Sequence, residues 1–110
     1  IGAGNIGSRH LQGLAKVTFP LNIEVVDPSI ESLKISEERF HQVPSHTKHE
    51  IKFSQKLTDI RENIDLAIIA TSSDIRRKIT ENLLKQYQVK YIIKANLLIF
   101  HCLLLIYLGI

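Results

Sequence analysis

The hydrophobic and polar positions of residues 1–93 follow two alternating periods, one typical of strands and one typical of helices. Short runs of β-branched and other apolar residues predict strands, and longer segments with apolar residues three or four positions apart predict helices. The predicted strands are Leu21–Val26, Ile51–Phe53, Ile64–Ala70 and Val89–Ile93. The predicted helices are Ile6–Lys16, Ser29–Phe40 and a segment capped by Ser72–Asp74, with a short helical turn within Gln55–Asn63.

The same pattern predicts where these elements start and which side chains they bury. Asp27–Pro28 is expected to open the second helix, because Asp is a good N-cap and Pro suits the first helical position. The near-continuous apolar run Ile64–Ala70 is typical of a parallel strand covered on both faces. The helical residues expected to be buried are Ile30, Leu33, Phe40, Ile75, Ile79 and Leu83.

Strands that alternate with helices predict parallel βαβ units with right-handed crossovers. We therefore expect an α/β fold, a doubly wound parallel sheet of the Rossmann type, over residues 1–93. Only Ile1 precedes the first helical signal, so the first strand of that sheet is expected to be largely missing, leaving a truncated domain.

Residues 94–110 break the pattern. The segment 97–110, LLIFHCLLLIYLGI, is almost wholly apolar and is shorter than the roughly 20 residues that a membrane-spanning helix needs. Three interpretations stay open: a membrane anchor, a buried strand or helix, or a tail that comes from a shifted reading frame or an unspliced intron.

Composition narrows the class of protein. The chain has 110 residues, a net charge of +3 and one cysteine, Cys102. This length fits one small domain. A single cysteine cannot form an internal disulfide, so a reducing, cytoplasmic location is expected. The cationic residues are scattered with few aromatics among them, so neither nucleic acid nor a membrane is an expected partner.

The residues that carry candidate chemistry begin at Gly2. Gly2-Ala3-Gly4-Asn5-Ile6-Gly7 is a G-x-G-x-x-G at the start of a predicted helix, and Asp27 ends the next predicted strand. In dinucleotide-binding folds the glycines allow a tight turn, backbone approach to a pyrophosphate and close helix packing. The pyrophosphate is held at the helix N-terminus.

Asp27 has two compatible roles, as an acceptor for the ribose hydroxyls of an adenosine and as a helix cap. Its negative charge disfavours a 2′-phosphate, so NAD is expected rather than NADP. Thr71 and Ser72 follow the strongest strand, at the sheet edge where ligands bind in doubly wound folds. They are expected either to line the second ribose or simply to form a turn with Ser73 as the N-cap.

Other polar clusters have simpler interpretations. The histidines of the loop 41–50 lack the ligand spacing of a metal site, and no metal is expected. Arg76, Arg77 and Lys78 are expected to form the solvated face of a helix. His101 and Cys102 are adjacent in the tail, which gives no catalytic geometry.

Residues 1–10, IGAGNIGSRH, resemble the opening of the Gfo/Idh/MocA oxidoreductases, the glucose–fructose oxidoreductase and inositol dehydrogenase family. Val25–Asp27 and Leu66–Ser72 are also similar, so the resemblance covers residues 1–93. It implies the NAD(P)-binding domain of an enzyme that acts on a sugar-like or cyclitol alcohol and that forms a homo-oligomer when intact. The cofactor contacts that it implies are Gly2, Gly4, Asn5, Ile6, Gly7, Asp27, Thr71 and Ser72.

The resemblance ends at Lys94. The family has a Glu-Lys-Pro motif after this strand, whereas here Lys94 follows Ile93 and precedes Ala95, so no catalytic role is carried over. The family's second domain, with its catalytic Asp and His, has no counterpart in the sequence. We expect the isolated chain to be inert as an enzyme and, without its central strand, poorly stable.

Two alternatives to an oxidoreductase domain stay open. One is a non-catalytic nucleotide-binding or interaction module, which would need the same glycine turn. The other is an S-adenosylmethionine-dependent methyltransferase, although G-x-G-x-G is more typical of that class than the spacing that ends at Gly7.

Overall fold

Helices and strands alternate along the chain in the order that the hydrophobic pattern predicts. The computed structural model describes residues 1–60 and 63–95. Its helices are α1 (Asn5–Ala15), α2 (Ile30–His41) and α3 (Ser73–Gln86), with a 3-10 turn at Leu57–Asp59. Its strands are β1 (Asn22–Val26), β2 (Glu50–Ser54), β3 (Asn63–Ile69) and β4 (Gln88–Lys94).

The strands form two parallel pairs. β1 lies beside β2 with Ile23 opposite Ile51, and β3 lies beside β4 with Ala67 opposite Ile92. Parallel pairing follows from the helices α2 and α3, each of which carries the chain back between the two strands of a pair. The predicted α/β class with parallel strands is confirmed.

The first two residues of the chain hydrogen-bond to both strand pairs. The Ile1 nitrogen donates to the Ile68 carbonyl over 2.7 Å, and the Ala70 amide donates to the Ile1 carbonyl over 2.8 Å. The Gly2 amide donates to the Val26 carbonyl over 2.9 Å. Ile1–Gly2 therefore connects the carboxyl end of β1 with the carboxyl end of β3.

Each strand pair has its own apolar cluster. Ile23 and Val25 of β1 pack with Leu11 of α1 and with Leu33 and Phe40 of α2. On the other pair, Ala67 and Ile69 of β3 pack with Leu83 of α3, and Ile1 lies against this second cluster. Burial of Leu33, Phe40 and Leu83 is confirmed.

Three burial predictions are wrong. Ile30 is 55% exposed and Ile75 is 46% exposed, and both lie in the first turn of their helices. Leu66 of β3 is 38% exposed, and its register partner Tyr91 is 64% exposed. Within the described residues, α3 covers one face of this strand pair, so β3 is not buried on both faces as its apolar run predicts.

The helix starts also differ from prediction. α2 begins at Ile30, and its N-cap is Ser29, whose side chain accepts a hydrogen bond from the Ser32 amide. Asp27 is therefore not the helix cap. α3 begins at Ser73 with Ser72 as its N-cap, one residue earlier than expected.

The polar loop 41–50 contains one histidine with a structural role. His49 Nδ1 accepts from the Leu21 amide at 3.1 Å, and its Nε2 lies 3.3 Å from the Ala15 carbonyl. This arrangement assigns the proton to Nε2, which donates to the end of α1. The ring thus fixes the connection between α1 and β1.

None of the helices in the described part of the chain has the length and apolar character needed to span a membrane. The three interpretations of the tail concern the segment 97–110, which lies outside the described residues.

Candidate functional site: the glycine turn

Gly2 occupies a backbone conformation and a space that only glycine fits. Its φ is +90°, a value that side-chain-bearing residues rarely adopt. A Cβ built on Gly2 would lie 2.9 Å from the Ala70 carbonyl carbon and oxygen and 3.1 Å from the Thr71 nitrogen. We call the segment Gly2-Ala3-Gly4, which precedes α1, the glycine turn. It lies directly against the residues that follow β3.

Gly7 is required for a second close contact. A Cβ at this position, in the first turn of α1, would overlap the Gly2 carbonyl group and would lie 3.5 Å from the Ala70 Cβ. Because a methyl group has no room there, glycine at this position lets α1 lie directly on the turn.

Gly4 differs from the other two glycines. It is the N-cap of α1, with an extended backbone (φ −68°, ψ −161°), and no side chain caps the helix. A Cβ added to Gly4 would meet no atom within 4 Å. The first amides of an α-helix have no partner within the helix, so those that follow Gly4 are available to a ligand on its open side.

Asp27 joins the glycine turn to the start of α2. Its Oδ2 accepts from the Ala3 amide at 2.8 Å, and its Oδ1 accepts from the Ser29 amide at 2.8 Å. A carboxylate oxygen has two lone pairs, so each oxygen retains the capacity to accept one more hydrogen bond. A ribose hydroxyl at the turn would thus meet a carboxylate whose orientation is already fixed.

Thr71 and Ser72 lie on the other side of the glycine turn, between β3 and α3. Thr71 Oγ1 is buried and has no hydrogen-bond partner among the described residues. Ser72 is exposed, and its hydrogen bond to the Asp74 carboxylate is the largest cause that lowers the pKa of Asp74 below its usual value. In the Thr71–Ser72 turn, the Ser72 hydroxyl is therefore hydrogen-bonded, whereas the Thr71 hydroxyl has no partner among the described residues.

The structure brings the expected site residues together at one edge of the strands. The glycine turn contacts Asp27 on the β1 side through Ala3, and it contacts Thr71 on the β3 side through Gly2. The remaining residues expected at the site are Asn5 and Ile6 in the first turn of α1, and Ser72 at the start of α3.

Two arginines near this edge make contacts that the sequence did not predict. Arg39 of α2 donates through Nη1 to Ser8 Oγ at 2.6 Å and to Asn5 Oδ1 at 3.3 Å. Arg76, predicted to lie on a solvated face, instead donates through Nη2 to the Thr71 carbonyl at 2.9 Å. Side chains this long reach across elements, and no local spacing signals such contacts. Arg77 does lie on the solvated face, paired with Glu81.

An open depression lies away from the glycine turn. It measures about 650 Å³ and is open to solvent, between the start of α2 and the end of β2, where Ile30, Phe53 and Lys56 line it. None of the residues expected to contact a cofactor lines it. The glycine turn is therefore a candidate because of its open space at Gly4 and its helix N-terminus, and not because of a cavity.

Comparisons with protein-family models, with characterised proteins and with solved structures found no match for this chain. The case for a function therefore depends on the geometry of the turn.

Proposed function

We propose that the chain is a Rossmann-type NAD-binding domain of an oxidoreductase that acts on a sugar-like or cyclitol alcohol. The observation that carries the proposal is the difference among the three glycines. Gly2 and Gly7 are required by contacts within the protein, whereas Gly4 faces open space at a helix N-terminus. No contact with the described residues requires the open space at Gly4, but it is what a pyrophosphate needs to approach the backbone.

The arrangement of the strands supports the Rossmann type. β2, β1, the Ile1–Gly2 segment, β3 and β4 follow one another through hydrogen bonds. A doubly wound sheet of order 3-2-1-4-5 places its glycine turn after the central strand, between the strand that ends in the acid and the fourth strand. Gly2 has those two neighbours here, Val26 before Asp27 on one side and Ala70 on the other.

The polar groups around the turn suit each part of a dinucleotide. The first amides of α1 would hold the pyrophosphate, and the Asp27 carboxylate would accept from the adenosine ribose hydroxyls. The backbone of the Thr71–Ser72 turn, which lies against Gly2, would face the second half of the ligand. When bound, NAD supplies the hydride acceptor for oxidation of an alcohol, and the role of these residues is to bind and orient it.

Selectivity for NAD follows from Asp27. Both of its oxygens are fixed by backbone amides, so the carboxylate cannot turn away from a 2′-phosphate. Repulsion between two fixed negative charges disfavours NADP. No catalytic residue is assigned in this chain, so the chemical step in the intact enzyme is left to residues that the proposal does not include.

Titration calorimetry of the 110-residue chain with NAD+ and NADP+ tests the proposal. Wild-type chain should bind NAD+ more tightly than NADP+, and Asp27→Ser should narrow the ratio of the two dissociation constants by about tenfold, roughly the effect of one charged hydrogen bond. Asp59→Ser removes an exposed carboxylate from a different part of the chain and should leave the ratio unchanged.

The ratio of the NAD+ and NADP+ dissociation constants distinguishes a loss of ligand recognition from a distortion of the glycine turn. Loss of the hydrogen bonds to Ala3 and Ser29 would weaken the binding of both nucleotides equally, whereas loss of the negative charge would strengthen only the binding of NADP+. A wild-type chain that binds neither nucleotide nor ADP at millimolar concentration would refute the proposal.

A further inference from the structure

A guanidinium group links the ends of two neighbouring strands beside the glycine turn. Arg76, in the second turn of α3, donates from Nη2 to the Thr71 carbonyl at 2.9 Å and to the Ala95 carbonyl at 3.2 Å. Thr71 follows β3, and Ala95 follows β4. The Ala95 amide also donates to the Ile69 carbonyl at 2.9 Å, which keeps the two strand ends adjacent.

This arrangement leaves polar atoms buried without partners. Arg76 Nε and Thr71 Oγ1 are both inaccessible to solvent, and neither has a hydrogen-bond partner among the described residues. Buried donors and acceptors without partners destabilise a fold. An apolar side chain at position 76 would avoid the cost of a buried Nε without a partner, so a role in folding alone explains the arginine poorly.

The two halves of the proposed ligand lie on opposite sides of Gly2. A pyrophosphate at Gly4 places one half toward Asp27 and β1, and it places the other half toward Thr71 and β3. Any group that fixes the Thr71–Ser72 turn therefore acts on the second half of the dinucleotide and not on the adenosine half.

We propose that Arg76 is a positioning residue that holds the Thr71–Ser72 turn against the nicotinamide half of the dinucleotide. The inference depends on the proposed NAD-binding function. Arginine suits the task because one planar group can reach two carbonyls with a fixed geometry, whereas the lysine ammonium is a point charge on a flexible stem.

The test compares two ligands and two neighbouring arginines in the 110-residue chain. NAD+ carries both halves, and ADP carries only the adenosine and the pyrophosphate. Arg76→Ala should raise the dissociation constant for NAD+ about tenfold and change that for ADP by less than twofold. Arg77→Ala, which removes an exposed cation from the same helix, should change neither. Arg76→Lys should recover part of the loss for NAD+.

A second readout follows the turn itself. In nitrogen–proton correlation spectra, the backbone amides of Thr71 and Ser72 should shift when NAD+ is added and should shift much less with ADP. In Arg76→Ala these NAD+-dependent shifts should shrink. If Arg76→Ala does not fold, as judged by its thermal transition, the same comparison is made with Arg76→Lys.

The outcomes separate this inference from the proposed function. Equal loss of NAD+ and ADP in the Arg76 variants, or an equal effect of Arg77→Ala, overturns the positioning role and leaves NAD binding intact. A wild-type chain that binds neither ligand overturns the proposed function, and the positioning role with it.

Discussion

Adding one methyl group to Gly4 or to Gly7 should have opposite consequences for folding and for binding. In an exposed helix interior, Gly→Ala stabilises by about 0.5–1 kcal/mol. At Gly7 the new Cβ overlaps the Gly2 carbonyl, so α1 has to move away from the turn. Overpacking costs about 1–3 kcal/mol, and a backbone obstacle places Gly7→Ala at the upper end of that range.

At Gly4 the same methyl group meets no atom within 4 Å, and the extended backbone accepts alanine. The poorer N-cap preference of alanine costs about 0.5–1 kcal/mol, and the smaller entropy of the unfolded chain returns about 0.4–1 kcal/mol. The two terms nearly offset each other. Gly4→Ala should therefore fold as well as wild type but should bind NAD+ at least tenfold more weakly, because its methyl group occupies the open side.

Thermal unfolding followed by circular dichroism, together with calorimetric titration, measures both effects. A loss of about 3 kcal/mol lowers the Tm of a domain of this size by roughly 12–24 °C, whereas Gly4→Ala should melt within a few degrees of wild type. A Gly7→Ala chain that melts like wild type would show that α1 does not lie against the turn. A Gly4→Ala chain with full NAD+ affinity would show that the open side is not the ligand side.

Four further predictions concern the scaffold around the turn. Burial lowers the pKa of His10 below its ordinary value of 6.5. The stability that the neutral ring contributes is therefore complete above about pH 6.5 and is lost as the pH falls. The Tm should drop between pH 7 and pH 5.5, and His10→Gln should make that drop smaller. Tyr87→Phe removes a 2.7 Å hydrogen bond to a backbone carbonyl in the 3-10 turn and should lower the free energy of unfolding in urea by about 1 kcal/mol. His49→Ala deprives a backbone amide of its acceptor and should cost about 1–3 kcal/mol in the same assay, whereas the exposed His46→Ala should cost almost nothing. A chain extended by about six apolar residues before Ile1 should unfold more cooperatively than the 110-residue chain, because added residues can continue the hydrogen bonds that Ile1–Gly2 makes to β1 and β3; an equally sharp transition in both would show that this junction does not limit cooperativity.

The sequence predicted the elements well because their signals are local. The strands lie within a residue or two of their predicted bounds, and parallel pairing follows from the helices between them. The helical turn predicted over Gln55–Asn63 is shorter, Leu57–Asp59, and Asn63 instead begins β3. The glycine spacing likewise predicted a tight turn at the start of α1, and the structure has one, with Gly2 at φ +90°. These properties depend on residues close in sequence or on spacing rules that act over one βαβ unit.

Burial and long-range contacts were harder to predict because they depend on which partner covers each face. Ile30 and Ile75 have helical spacing, yet both lie in the first turn of a helix and remain about half exposed. Arg76 belongs to a charged triplet typical of a solvated face, but its long side chain reaches backbone carbonyls at two strand ends. No local pattern distinguishes it from Arg77.

The connection that Ile1–Gly2 makes between the strand pairs also affects how the chain opens. The Ile1–Ile68 hydrogen bond spans 67 positions in the sequence, so it closes a long loop that the strand pairs do not need for their own pairing. Contacts of this kind form late in folding and open first, ahead of the β3–β4 ladder. In hydrogen-exchange measurements, the amides of Gly2 and Ala70 should exchange sooner than those within the strands. A nucleotide held at this junction at 100 times its dissociation constant would slow that opening about a hundredfold.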